Sequence, residues 1–245
     1  MQRLIRYSPL LILAVVWEAV ARSGLVARSA LPPLSDVILA WVQLAGTSDF
    51  WINAADSLYR TFAGLILAIV IGALIGIAMA SSRPIRTLLN PIVEVFYPLP
   101  KSALIPVTAL WLGLGDASKI LLIFLGCMLP VTLGAYNGAR GAEQSLMWSA
   151  RSLGASRLRM LFDVVAPSAL PETLNGIRTA LATSFVLLVS SEMIAARSGL
   201  GFMIGFLGDG GNFDAMFAVV FTVAFMGFIA DRLYQAAMQR VLRWR

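Results

Sequence analysis

Four ionisable side chains lie inside stretches of the sequence that are otherwise almost wholly apolar. They are Glu18, Glu94, Lys101 and Glu192. A charge at the depth of a bilayer is costly, so such a residue needs a functional or a structural reason. The functional interpretation makes some of the four pathway or gate groups for a solute that crosses a membrane.

Lys101 is the most suggestive of these residues. It lies among Pro98, Pro100 and Pro106, which predict a broken backbone whose carbonyls and helix ends open toward a cavity. A cation there would attract an anionic solute. The alternative is that Lys101 snorkels or pairs with Glu94, about two helical turns away in an unbroken helix.

Glu192 and Glu18 favour structural roles. Glu192 lies late in its apolar stretch and would repel an anion, so we expect it to fix helix geometry or an outer gate. Glu18 lies in the first stretch, where we expect a structural contact.

Several kinds of catalytic chemistry have no residues to support them. The sequence contains no histidine, and its single cysteine, Cys127, lies in an apolar run. Zinc sites, disulfides and His-dependent catalysis are therefore excluded or nearly so. Gly113 to Lys119 has the wrong spacing for a phosphate-binding loop, so any ATP must be hydrolysed by another chain.

The composition is that of a membrane protein. Of 245 residues, 59% are hydrophobic and 13% are charged, against about 45–50% and about 25% in soluble domains. The net charge of +6 does not indicate a nucleic-acid partner, because the basic residues lie between apolar runs. Lipid is the expected environment, and the length suits about six spans in one all-α transmembrane domain over residues 1–245.

The apolar runs place these spans. They are predicted at about 4–21, 62–80, 91–112, 120–136, 179–196 and 213–230. The run 62–80 carries no charge, and Pro130 in the fourth run is tolerated in a membrane helix. Arg3 and Arg6 before the first run resemble a signal peptide, but Glu18 argues against cleavage. Small residues at every fourth position of the second run predict helix packing: Gly64, Ala68, Gly72, Gly76 and Ala80.

The outer segment 32–56 is too polar to span the bilayer. A stripe of apolar residues after Ser35 and Asp36 predicts a short helix, either at the membrane interface or packed on the outer end of the bundle.

Basic residues fix the predicted orientation. With the N-terminus inside, the cytoplasmic side receives Arg3, Arg6, Arg83, Arg86, Arg140, Arg151, Arg157, Arg159, Arg178, Arg232, Arg240, Arg243 and Arg245. The outer side receives only Arg22, Arg28, Arg60, Lys119 and Arg197. This asymmetry satisfies the positive-inside rule and predicts that both termini are cytoplasmic.

The longest predicted cytoplasmic segment, residues 137–178, is longer than a connection between two membrane spans requires. It predicts a helix from Glu143 to Leu153, a break at Gly154-Ala155, and a second helix from Ser156 to Val165 that ends at Pro167. Ser156 can cap this second helix. Its predicted apolar face consists of Leu158, Leu161, Phe162 and Val165. We interpret this segment, the coupling elbow, as a docking surface.

The elbow resembles the EAA loop of ABC importer permeases. The resemblance rests on Ser149-Ala150-Arg151-Ser152-Leu153-Gly154-Ala155-Ser156-Arg157 and Val164-Val165-Ala166-Pro167, in which Gly154 and Pro167 fall on the family's positions. Further motifs extend it along the chain: Leu31-Pro32-Pro33-Leu34-Ser35-Asp36-Val37, Pro98-Leu99-Pro100, Ile105-Pro106, 111–119, Ser191-Glu192-Met193-Ile194 and Gly199-Leu200-Gly201. Together they are similar to the branch that imports nitrate, taurine and alkanesulfonates.

Three positions depart from the loop motif. Trp148 stands where the family usually has Glu, Ser149 replaces the first Ala, and Ala166 replaces Leu before Pro167. The fold is not threatened, but the contact that the missing carboxylate makes with the ATPase is in doubt. Glu143 or Asp163 are the candidates to compensate.

The resemblance implies a type I importer fold in a bacterial plasma membrane. Its implied partners are a second permease copy, most simply in a homodimer, a cytoplasmic ATPase dimer that binds ATP and Mg²⁺, and an extracytoplasmic solute-binding protein. This chain itself would carry no cofactor. The implied ATPase-coupling residues are Trp148, Ala150, Arg151, Leu153, Gly154, Ala155, Ser156 and Pro167.

We expect the helix through Ala150, Leu153 and Gly154 to sit in a cleft on the ATPase and to move as a rigid lever. Gly154 would permit a tight turn and a close backbone approach. The alternative is that Gly154 is only a helix C-cap.

Two other classes of function remain open at this point. A self-sufficient secondary transporter would normally be longer, show internal repeats and lack the elbow. A membrane enzyme would need a nucleophile with its base, or a metal cluster, neither of which is evident. The solute stays open, because selection in the family rests largely on the binding protein.

Overall fold

The computed structural model describes residues 2–243, without the side chains of residues 2–7, 10, 144 and 157. All regular structure in this part of the chain is helical. The α-helices are α1 (Gln2–Arg22), α2 (Leu34–Ala45), α3 (Ser48–Ser81), α4 (Arg83–Phe96), α5 (Ile105–Leu112), α6 (Asp116–Arg140), α7 (Gln144–Ser152), α8 (Arg157–Met160), α9 (Ala166–Ala195), α10 (Leu200–Asp209) and α11 (Phe213–Val241). A 3₁₀ turn, Lys101–Leu104, precedes α5, and a π-helical turn, Leu161–Val165, joins α8 to α9.

Among the described residues, four stretches of helix are long and apolar enough to cross a bilayer. They are Ser48–Ser81, Asp116–Arg140, Leu158–Ala195 and Phe213–Val241. The runs predicted at 62–80, 120–136 and 213–230 lie within them, and the run predicted at 179–196 extends one residue beyond Ala195. The run predicted at 4–21 lies in α1, and part of it falls outside the described side chains.

The run predicted at 91–112 is bent rather than straight. Helix α4 ends at Phe96, and the helical stretch Lys101–Leu112 continues at an angle of 94°. Pro98 and Pro100 explain the break, since each lacks an amide donor and disfavours a helical residue before it. The pair is therefore a broken span or a re-entrant loop.

The elbow is more helical than the sequence predicts. Residues 166–178 belong to α9, and the second helix does not end at Pro167. Pro167 is tolerated because it lies in the first turn of α9, just after the π-turn. The loop predicted over 137–178 therefore ends at residue 156, and helix runs on to Ala195.

The described chain forms two compact units. Unit 1 comprises residues 1–57 and 198–226, and unit 2 comprises residues 58–197 and 227–245.

In unit 2, glycines let the helices approach closely. A Cβ on Gly64 would lie 2.8 Å from Ile123, and one on Gly72 would lie 2.9 Å from the Met128 carbonyl. These contacts confirm that the small-residue stripe of α3 packs against α6. Helices α6 and α9 meet in the same way, because a Cβ on Gly134 would lie 2.6 Å from the Glu172 carbonyl.

In unit 1, α2 packs on neighbouring helices. Trp41 Nε1 donates to Thr222 of α11 (3.1 Å). The helix begins at Leu34, and the hydroxyl of Ser35 binds Glu18 (2.9 Å) instead of capping α2. Glu18 also accepts from Arg22 (2.6 Å), so its contacts are those expected of a structural residue. The predicted outer segment 32–56 is shorter than expected, because α3 already begins at Ser48.

Candidate functional site: the coupling elbow, a polar cavity and a buried charge network

The first helix of the elbow ends in a Schellman motif at Gly154. The Gly154 amide donates to the Arg151 carbonyl (2.9 Å), and the Ala155 amide donates to the Ala150 carbonyl (3.0 Å). The φ of Gly154 is +79°, a left-handed conformation that costs any residue with a Cβ. A Cβ there would meet no heavy atom within 4 Å. Among the described residues, the space beside Gly154 is therefore open, and the backbone at this turn is accessible.

Large apolar side chains of the elbow are exposed. Trp148 is 63% exposed and Leu153 is 87% exposed. The predicted apolar face of the second helix is divided: Leu161 and Val165 pack near Ala139 and Ala169, whereas Leu158 is exposed, as is Phe162. Such a surface is typical of an interaction site.

The other coupling residues lie around this break. Arg151 and Ser156 are exposed and Ala150 and Ala155 are half-buried. The Arg159 amide donates to Ser156 Oγ (3.3 Å), the cap that the sequence predicts.

The two candidates to compensate for the missing glutamate are also exposed. Asp163 pairs with Arg159 (3.4 Å), and Glu143 accepts from the Ser145 hydroxyl (3.2 Å).

An open cavity of about 530 Å³ lies in unit 2, beside the break between α4 and α5. Its lining comes from the break, from α6 and from α9: Tyr97, Leu99, Lys101, Gly126, Leu129, Pro130, Leu133, Gly134, Glu172, Asn175, Gly176, Thr179 and Thr183. A small organic solute would fit in a space of this size.

Lys101 lines the cavity and also holds the break together. Its ammonium donates to the carbonyls of Phe96, Leu99 (2.7 Å) and Tyr97 (3.3 Å). It thereby satisfies carbonyls at the end of α4. The alternative pairing of Lys101 with Glu94 is not among the described contacts: the Lys101 ammonium binds the three carbonyls, and Glu94 accepts from Asn90 (2.6 Å).

The prolines near Lys101 have distinct positions. Pro98 and Pro100 lie in the break itself, whereas Pro106 lies in the first turn of α5. A proline at that position costs little, because its missing amide would have no partner in the helix.

Glu192 is completely buried in a network of charges. It accepts from Arg60 Nη1 (2.6 Å), and Arg60 Nε donates to Asp116 (2.7 Å). Lys119 lies at the same end of α6, where its ammonium donates to the carbonyls of Leu114 (2.6 Å) and Ala195. The network ties α3, α6 and α9 together.

This network corrects the interpretation of two basic residues. The charge pattern places Arg60 and Lys119 on the outer side, just beyond the ends of the predicted spans, but these residues are only 3% and 1% exposed. Sequence reasoning missed them because a charge near the end of an apolar run looks like a loop residue. One feature of the sequence pointed to buried ion pairs: an aspartate lies close to each basic residue, Asp56 before Arg60 and Asp116 before Lys119.

Comparison with known proteins identifies the family. A family profile described as "Binding-protein-dependent transport system inner membrane component" matches residues 64–243. This chain belongs to that family. The match spans the elbow, the cavity and the charge network except Arg60.

Curated relatives agree with the family. The taurine transport system permease protein TauC of Escherichia coli (strain K12) is 37% identical over 240 residues, which cover 96% of this chain and 87% of that protein. The putative aliphatic sulfonates transport permease protein SsuC of Bacillus subtilis (strain 168) is 30% identical over 234 residues, covering 96% and 85%.

Solved structures agree as well. The MetNI methionine ABC transporter, in inward facing conformations, has a chain with a TM-score of 0.62 and 25% identity, covering 77% of this chain and 92% of that one.

The chain is therefore a permease subunit of an ABC importer, with the fold of type I importers. It is a component of the inner membrane that works with an ATPase and a solute-binding protein. The alternatives of a secondary transporter and a membrane enzyme are set aside.

Proposed function

We propose that two copies of this permease form the translocation pathway for a small organic anion of the sulfonate class. An extracytoplasmic binding protein delivers the solute, and a cytoplasmic ATPase dimer that binds ATP and Mg²⁺ drives the cycle. The relatives' names, taurine and aliphatic sulfonate permeases, support this class of solute.

The observation that carries the proposal is the cavity beside Lys101. It combines a fixed cation, a broken backbone and polar side chains of α9 in one space within helices that are long enough to span the membrane. The ammonium of Lys101 already donates to carbonyls, so it acts on an anion through its charge rather than through a direct hydrogen bond.

The elbow supplies the coupling in this proposal. Its exposed apolar surface, with Trp148 and Leu153, docks into the ATPase, and Gly154 lets the partner approach the backbone. Trp148 stands where the loop motif has a glutamate, so in this proposal an apolar contact with the ATPase takes the place of the contact that the glutamate makes. Both termini lie in the cytoplasm, as the distribution of arginines favours.

Uptake by the reconstituted complex tests the pathway role. The permease, its ATPase and its binding protein are placed in proteoliposomes, and ATP-driven taurine uptake is measured. We expect Lys101→Met to lower uptake about tenfold or more, the equivalent of about 1.4 kcal/mol, and Lys101→Arg to retain more activity because it keeps the charge.

Glu94→Gln is the matched control, since Glu94 binds only Asn90 in the described contacts and lies outside the cavity lining. Taurine uptake by Lys101→Met equal to that of the control would contradict the pathway role of Lys101. Absence of ATP-driven uptake of any sulfonate by the wild-type complex would contradict the proposed solute class.

A further inference from the structure

Another cavity, of about 710 Å³, lies in unit 2 between the elbow helices and the ends of two membrane spans. Helix α3 contributes its last two residues, and α6 contributes Ala139 and Arg140. Most of the remaining lining comes from α7, α8 and the π-turn that follows α8. Trp148 and Leu153, the exposed apolar residues proposed for the ATPase contact, do not line it. The cavity is therefore distinct from that apolar surface.

The length of α6 places this cavity at the level of the lipid headgroups. Helix α6 has 25 residues, which corresponds to about 38 Å at about 1.5 Å per residue. This length exceeds the hydrocarbon thickness of about 30 Å but fits within the roughly 40–45 Å that includes the headgroups. Arg140 is the last residue of α6, so its side chain lies where a lipid phosphate can reach it.

The floor of the cavity is apolar. Ala139 and Val165 are buried together, and Ala80 and Leu161 pack against them. All four residues line the cavity. A small ion alone would leave this apolar surface in contact with water, whereas an amphiphile would cover it.

The rim of the cavity is basic. Arg140 and Arg151 are exposed and line it, and none of its described lining residues is acidic. In the described contacts, Arg140 meets only Tyr136, at 3.2 Å from the hydroxyl and 5.6 Å from the ring centre, and no carboxylate pairs with Arg151. Glu143 lies outside the lining and accepts from Ser145. Both guanidinium groups are therefore available to a phosphate, which they match in geometry.

From this arrangement we propose that the cavity binds an anionic phospholipid of the cytoplasmic leaflet, such as phosphatidylglycerol. The lipid phosphate accepts hydrogen bonds from Arg140, and the glycerol backbone with the first methylene groups of the chains packs on the apolar floor. Arg151 adds positive charge at the rim, and the site does not require one phosphate to touch both arginines. Basic pockets between membrane helices on the cytoplasmic side are suited to such headgroups. The choice of leaflet rests on the proposed function, in which the elbow meets the cytoplasmic ATPase.

The test measures lipid binding to the assembled complex of permease and ATPase in detergent. Bound lipid is counted by native mass spectrometry during titration with phosphatidylglycerol, phosphatidylcholine or glycerol phosphate. We expect phosphatidylglycerol to bind most tightly, because it combines a net negative charge with acyl chains. Arg140→Gln should weaken its binding about tenfold, since a bond to a charged group is lost, and Arg140→Lys should retain more of it because the charge is kept. Arg151 is left unchanged, because the elbow also supplies the coupling.

A second variant and a matched control accompany Arg140→Gln. Ala142→Asp adds a carboxylate to the lining within a loop and should also weaken phosphatidylglycerol binding. Arg232→Gln is the control, because Arg232 is likewise exposed and lies over the ring of the residue four positions earlier, Phe228 (4.9 Å), but is outside this cavity. Copurification with the ATPase reports that each variant has assembled, and Ala142→Asp decides the test if Arg140→Gln does not assemble.

The outcomes are separate from those of the transport assay, because no solute is used. Selective loss of phosphatidylglycerol binding in the cavity variants, with Arg232→Gln near wild type, supports the inference. Unchanged binding in the cavity variants, or an equal loss in Arg232→Gln, overturns it. Equal affinity for glycerol phosphate and phosphatidylglycerol assigns the site to a free anion and also overturns it. Binding that is present in the isolated permease but absent from the complex assigns the cavity to the ATPase contact, with the same consequence.

Discussion

At the scale of single residues, Glu192 is bound to Arg60 in the interior of unit 2. The distance from Arg60 Nη1 to Glu192 is 2.6 Å, and Asp116 binds the same guanidinium. A buried pair is weak evidence for net stability, since desolvation offsets the attraction, but the loss of one partner leaves a buried charge without its counter-ion.

We therefore expect Arg60→Met to destabilise the protein by about 3–5 kcal/mol. The readout is the thermal unfolding of the purified protein in detergent. The double variant Arg60→Met with Glu192→Gln should recover part of that loss, because the uncompensated carboxylate is removed. Additive losses in the double variant would contradict the coupling of the two side chains.

The sequence shows that Glu192 is unusual, because it is a charged residue in an apolar run. It does not identify the residue that pairs with Glu192. Arg60 lies 132 residues away along the chain and follows a polar segment, so the charge pattern assigned it to a loop. Only the packing of α3 against α6 and α9 brings the charges together. Lys101 is similar: its position suggested a pathway cation, whereas its bonds to three carbonyls depend on the 94° bend.

At the scale of elements, the sequence predicts one part of the elbow and misses another. It predicts the turn at Gly154 but not the helix that continues from the π-turn into α9. Gly154 after a short helix is a common C-cap signal, and the structure has that cap. The continuous helix through Pro167 was not predicted, because a proline near a helix end usually marks a boundary. The π-turn Leu161–Val165 accommodates it, and nothing in the local sequence specifies such a turn.

A bulky residue at Gly154 should block coupling. We expect Gly154→Leu to abolish ATP-driven uptake and to lose the ATPase on copurification, while the permease still inserts into the membrane. Gly24→Leu is the matched control, because Gly24 has a φ of +75° and equally open surroundings. Both variants carry the same backbone strain, about 1–2 kcal/mol. Normal uptake by Gly154→Leu, or equal defects in both variants, would contradict docking at Gly154.

At the scale of the whole molecule, the predicted orientation can be tested with cysteine labels. The only native cysteine, Cys127, is fully buried, and its thiol contacts the Ala180 carbonyl (3.2 Å). It should therefore react little with a membrane-impermeant maleimide. Ser152 and Ser23 are both exposed and are predicted to lie on opposite sides of the membrane.

We expect Ser23→Cys to be labelled from the outer face of spheroplasts and Ser152→Cys to be labelled only in inverted vesicles. Labelling of the Cys127-only protein gives the background. Labelling of Ser152→Cys from outside and of Ser23→Cys only in inverted vesicles would contradict the predicted orientation. The distribution of arginines would then not follow the positive-inside rule.

The amino-acid sequence alone was enough to predict a helical membrane permease with an elbow between two of its spans. The features that led to this prediction are local: long apolar runs, an uneven distribution of basic residues and the motif around Gly154. Each can be recognised without knowing which distant residues are in contact. They were sufficient for the family, the fold class and the approximate place of most helices.

Which polar groups meet depends on the three-dimensional packing of the helices. The partners of Glu192, the bonds of Lys101 and the face that joins Glu172 to Thr183 around one cavity depend on helices brought together from distant parts of the chain. Helix rotation and close packing at Gly134 and Gly176 set these contacts. A one-dimensional pattern carries no measure of rotation between helices, so this part of the site could be found only in three dimensions.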